Sequence, residues 1–148
     1  MHDAGVRQHP IELILLRQLA SRLAFPVFLV SMGGTVVYRN PPADALLGFD
    51  PAEVPEAVPL PDLVARYRPV DAGGSPVPVD RVPVGVALLQ RRPSQARLLV
   101  YDQRGGEHQV DVTAFPLEGQ GGVPLGAMSI FWELDGAGHP TAAGDGAR

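Results

Sequence analysis

Cysteine is absent from the 148 residues, which removes disulfides, thiolate metal ligands and every thiol nucleophile together. Lysine is absent as well, so all 12 basic residues are arginine, and against 16 acidic residues they leave a formal net charge of −4. Gripping a phosphate backbone takes several cations on one surface, whereas only Arg91, Arg92 and Arg97 come close together here; no nucleic-acid partner is expected. Long apolar runs are missing too. The stretch from Ile11 to Leu16 is interrupted by Glu12 and followed by Arg17 and Arg22, far short of the roughly 18 apolar residues of a membrane span, so the expectation is a soluble cytoplasmic chain with no membrane partner. Neither a Gly-x-Ser-x-Gly, nor a phosphate loop ending in Lys, nor a metal-ligand spacing of histidines occurs, and no catalytic residues and no metal site are expected. Gly119-Gln120-Gly121-Gly122 lies between two strands instead of opening a helix, so it reads as a turn and not as a dinucleotide loop.

What is present is an ordinary globular composition, 45% apolar and 19% charged, with many turn residues, Gly 17 and Pro 16. The length suits one domain. Residues 1–10 carry no pattern and are expected to be disordered. Ile11 to Ala24 reads as an amphipathic helix ended by Pro26, with Leu13, Leu15, Leu16, Leu19 and Leu23 on a broad apolar face. A helix lying on one sheet needs only about 100° of apolar stripe, so the surplus either packs a second copy or is covered by the same sheet. Val27 to Ser31 and Thr35 to Arg39 flank Met32-Gly33-Gly34 as a hairpin, and Asn40-Pro41-Pro42 to Gly48 carries the start and stop signals of a short helix. Asp50-Pro51-Ala52-Glu53 repeats a start signal in capping-box form. Prolines between residues 54 and 81 interrupt every period there, and only Asp62 to Tyr67 looks helical. A helix from Pro83 to Arg92 precedes three strands, Ala96 to Tyr101, His108 to Phe115 and Leu125 to Leu134. In the middle strand His108, Val110, Val112 and Ala114 share one face. Residues 135–148 hold nothing large to bury and are expected to form a flexible tail. The fold class that follows is α+β: a five-stranded antiparallel sheet with short helices on one face and an N-terminal amphipathic helix, spanning residues 11–134.

The order of these elements resembles the PAS family of sensory domains. The residues that carry the likeness are Pro26 to Ser31, the hairpin Gly33 to Asn40 with the helix that follows it directly, Gly105 to Val112, Phe115-Pro116-Leu117, and Gly126 to Trp132. The resemblance implies a regulatory module acting by small-ligand binding, by protein–protein interaction, or by both; with the broad apolar face of the N-terminal helix, the expected partners are a second copy in a homodimer and a signalling protein. The alternative is an interaction scaffold with a filled core and no ligand. Carried over by strand register, it aims Leu29, Ser31, Val36, Tyr38, Val100, Val110, Val112 and Phe131 at a pocket under the helices. Without cysteine, neither a covalent flavin adduct nor a thioester-bound chromophore can form. Haem-binding members of the family supply a histidine from the helix before the third strand, and Pro83 to Arg92 has none, so no haem is expected. His108, the only histidine away from the termini, reads as a solvated strand-end residue. A non-covalent flavin or an organic acid near Arg66, Arg68 or Arg81 stays open.

Overall fold

The computed structural model describes residues 11–136 and 139–141; the segment 1–10 and most of the expected tail lie outside them. Helix α1 runs Ile11–Ala20, four residues shorter than its apolar pattern. Its end is set before Pro26 is reached, because the carbonyl of Ala20 already accepts from Leu23 N at 3.1 Å and from Asn40 Nδ2 at 3.0 Å. Strands β1 (Val27–Ser31) and β2 (Thr35–Arg39) form the expected antiparallel hairpin. Helix α2, Pro41–Leu47, starts on Asn40, whose Oδ1 accepts from Ala43 N at 3.1 Å, and stops at Gly48 in the left-handed region at φ 70°.

The capping-box signal at Asp50 produces a single turn, not a helix: Asp50 Oδ1 accepts from Ala52 N at 2.9 Å, and Val54 N donates back to Asp50 O. Then follow β3 (Val58–Pro59), α3 (Leu60–Tyr67) and α4 (Pro83–Gln90). Strands β4 (Ser94–Tyr101), β5 (Glu107–Glu118) and β6 (Pro124–Leu134) are the three longest. A two-residue strand β7, Pro140–Thr141, returns against Glu133 and Leu134 where a free tail was expected.

All strands join one antiparallel sheet in the order β3-β2-β1-β6-β5-β4, with β7 on β6. The five longer strands are those read from the sequence. Helices α2, α3 and α4 cover one face of the sheet and α1 the other, so a single layer of strands supports two apolar clusters. Strand β5 shows how this is encoded: Val110, Val112 and Ala114 turn toward the three helices, while Phe115 packs on the α1 side. At the end of the β1–β6 pairing the backbones lie so close that a Cβ on Gly126 would fall 1.9 Å from the carbonyl oxygen of Val30.

Candidate functional site

The face under α2–α4 holds the interior that a ligand would have to enter. Of the residues expected there, Val36, Val100, Val110, Val112 and Phe131 do come together in that cluster. Leu29 and Tyr38 do not; they lie on the α1 side, and Ser31 is the half-buried last residue of β1, whose Oγ accepts from Thr35 N at 3.4 Å. Two causes account for the misplacement. In β1 it is Phe28 and Val30 that face the helices, one residue out of step with the expected register. In β2 the pairing steps from Leu29↔Tyr38 to Val30↔Val36, so Val37 is a bulge that turns Tyr38 over, beneath the guanidinium of Arg17 at 5.0 Å. Burial, partly offset by Arg17, raises the Tyr38 phenol above its ordinary range.

The centre of the cluster is occupied by rings. Phe28 and Phe131 meet edge to face with centroids 4.9 Å apart, and Tyr67 stands at 89° to Phe131 at 6.1 Å. Burial drives the Tyr67 phenol strongly upward, so it is a neutral group. Beside these rings sits Ser129, which pairs by register with Phe28 on β1 and Ala114 on β5. Its hydroxyl is buried and, among the described residues, has no hydrogen-bond partner. The alternation Ala127, Ser129, Phe131 along β6 was the signal for it, whereas nothing in the Pro-interrupted stretch before α4 marked Tyr67 as central.

On the opposite face the dimer candidates divide. Leu13 is buried against the sheet and Leu16 and Leu23 pack partly on it, but Leu15 is 57% and Leu19 54% exposed, alongside the exposed Ile11 and Ile14. Helix α1 is nonetheless wired to the helix-covered side. The Asn40 amide, fully buried, accepts from Val27 N and Ala43 N and donates to Ala20 O and Phe25 O, which fastens the end of α1 and the start of β1 to the cap of α2. Arg39 adds a second tie: Nε bonds Asp44 Oδ1 at 2.7 Å and Nη1 donates to Pro55 O at 3.0 Å, while Glu56, next along, pairs with Arg17 on α1.

Two further sites were not foreseen in this form. An open groove of about 520 Å³ lies between α3 and the end of β4, lined by Val64, Val70, Val77 and Tyr101, with the Arg68 guanidinium over the Tyr101 ring at 4.5 Å. Arg66 and Arg81 do not line it. His108, in turn, is not a solvated strand end: only 20% of its side chain is exposed, and both ring nitrogens meet carboxylates. Among the described residues no group of His, Asp and Glu side chains is arranged to hold a metal, and no helix is long and apolar enough to cross a membrane.

No family model matches the sequence, and no curated protein matches it. Solved structures do match the fold. The LOV protein of Rhodobacter sphaeroides is 19% identical, with 87% of this chain and 71% of that one covered at a TM-score of 0.65. The PAS domain of BvgS from Bordetella pertussis is 16% identical, covering 85% and 88% at 0.61. The light-state dimer of the fungal blue-light photoreceptor Vivid is 12% identical, covering 84% and 95% at 0.58. The shared architecture is one antiparallel sheet with helices across its face.

Proposed function

We propose that this PAS-fold chain is a non-catalytic cytoplasmic regulatory module that acts through α1, by self-association or by docking on a signalling protein. The observation that carries the reading is the two-sided apolar character of α1: Leu13 and Ala20 seal the sheet while Ile11, Ile14, Leu15 and Leu19 face outward. Large apolar side chains in contiguous exposed positions are costly in water and favour a partner surface. That Vivid, a protein of the same fold, forms a light-state dimer supports the reading.

Signal transfer would be a population shift, in which a ligand that prefers one arrangement of the helices biases how α1 presents its outer stripe. Asn40 and the Arg39–Glu56–Arg17 series supply the mechanical connection. The ligand class that suits the interior is a small, mostly apolar molecule with one polar atom for the Ser129 hydroxyl, held without a covalent bond. A second reading, a scaffold with a filled core, is favoured by the Phe28, Tyr67 and Phe131 rings at its centre.

Light scattering tests the role of α1. The wild-type chain is expected to run at twice its 15.7 kDa mass, and Leu15→Glu with Leu19→Glu to run as a monomer with unchanged circular dichroism. A monomeric wild type, or a variant that stays dimeric, would remove α1 from the interface. Native mass spectrometry of freshly purified protein separates the two readings of the core: an added small-molecule mass supports the sensor, and the bare polypeptide the scaffold.

A further inference from the structure

His108, near the start of β5, has its ring between two acids: Nε2 is 2.8 Å from Asp102 Oδ2 and Nδ1 is 2.8 Å from Glu133 Oε2. Asp102 opens the β4–β5 turn, and its Oδ1 accepts from the backbone N–H groups of Arg104 and Gly106, each at 2.8 Å. Glu133 lies one residue before the end of β6. An ionised carboxylate only accepts hydrogen bonds, so both of these bonds must be donated by the ring. Neutral imidazole has one N–H; only imidazolium has two.

We propose that His108, Asp102 and Glu133 form a proton-operated latch that ties the end of β6 to the β4–β5 turn while the ring carries both protons and lets Glu133 go when it loses one. On deprotonation one ring nitrogen turns a lone pair toward a carboxylate, and that contact becomes repulsive. Asp102 keeps the remaining N–H, because it is buried and pinned by two backbone donors. Glu133, with its side chain 42% exposed, is the partner whose bond to the ring is lost. The segment released is the last residues of β6 together with β7, which pairs with Glu133 and Leu134.

Among the described residues, the charged groups that face the ring are Asp102 from the turn and Glu133 from β6; Arg104, of the same turn, instead reaches Gly48 at the end of α2. Burial by itself depresses the basicity of His108, but the hydrogen bonds to Glu133 and Asp102 and the charge of both acids outweigh it and hold the ring above the ordinary histidine value. The ring therefore keeps its second proton to a higher pH than an unperturbed histidine does.

Glu133→Gln makes the idea falsifiable without dismantling the fold. The glutamine amide can donate to an unprotonated Nδ1 while Nε2–H serves Asp102, so a neutral ring satisfies both neighbours and the pH response disappears. The experiment follows the full chain from about pH 5 to about pH 9 by imidazole ¹⁵N shifts and by amide exchange of Phe131–Leu134. Trp132, the single tryptophan, sits beside Glu133 with its ring 5.5 Å from Phe25 and gives a fluorescence readout. In the wild type both ring nitrogens should be protonated at the acidic end, and intrinsic-rate-corrected exchange of these amides should rise about tenfold as His108 titrates. In Glu133→Gln that rise should be absent. A wild-type ring already neutral at pH 6, protection that does not follow the titration, or an unchanged response in Glu133→Gln would each overturn the latch. None of these outcomes depends on whether the chain dimerises.

Discussion

Asn40 has no exposed surface, and its amide is committed at both ends to groups that belong to three different elements. Removing it does more than uncap α2. The carbonyls of Ala20 and Phe25 and the N–H of Val27 would be left in the interior with their side-chain partner gone, and each such loss carries a desolvation cost. Asn40→Ala is expected to destabilise the chain by about 2–4 kcal/mol, the sum of a lost cap and of unsatisfied backbone groups. Asn40→Asp should not rescue it, since a carboxylate keeps the acceptor toward Ala43 but sets negative oxygen against two carbonyls. Urea denaturation reads both as a lowered midpoint at constant slope. If the alanine variant lost less than about 1 kcal/mol, the clasp would carry no more than an ordinary cap.

Strands β1 and β6 pair where a side chain has no room. Gly126 has φ 148° and its missing Cβ would fall 1.9 Å from Val30 O, so Gly126→Ala must push the two strands apart or break their pairing. A loss of about 3 kcal/mol or more is expected, measured as the midpoint of thermal or urea unfolding. At this scale the sequence was informative where punctuation is local. Asn40, Pro41, Pro42 and Gly48 spelled out α2, and the alternation His108 to Phe115 gave β5 its two faces. It was uninformative where the deciding contact is distant. Nothing near Ala20 announces that Asn40 will claim its carbonyl and end α1, and no composition cue in Thr35 to Arg39 marks Val37 as a bulge. One slipped residue there exchanges the faces of a strand, which is why Tyr38 was assigned to the wrong cluster.

The whole molecule inherits a pH profile from the acids and the ring at the end of β6. The Asp102 carboxyl is held down from 3.8 to about 2, first by its hydrogen bond to His108; that stability is present above 3.8 and is lost as the pH falls toward the folded value. His108 is raised from 6.5, so its contribution is full below 6.5 and is lost as the pH climbs through the folded value. Folding stability is therefore expected to plateau between those limits and to decline on both sides, with midpoints of urea unfolding against pH as the measure. A profile still rising through neutrality would contradict the assignment. The latch illustrates the limit of sequence reading for sites. Asp102, His108 and Glu133 are individually unremarkable, and only the register of β5 against β6 and the tightness of the intervening turn bring them together. Val110 and Val112 were legible because burial follows from the period of β5, whereas Val100 and Phe131 came only with the resemblance; the alternation of β6 placed Ser129 inward but gave no sign that its hydroxyl would lack a partner.

The margins of the sheet have a consequence for how copies can meet. On one side the outermost strand, β3, is two residues long and ends in Pro59, which has no N–H to offer. On the other, Val70 already exchanges both backbone bonds with Leu99 at 2.8 and 2.9 Å, which leaves an incoming strand only the arginine-bearing first half of β4. Among the described residues, fibre growth by lateral zippering finds no long template at either border, so assemblies of this protein should be finite and should form flank to flank.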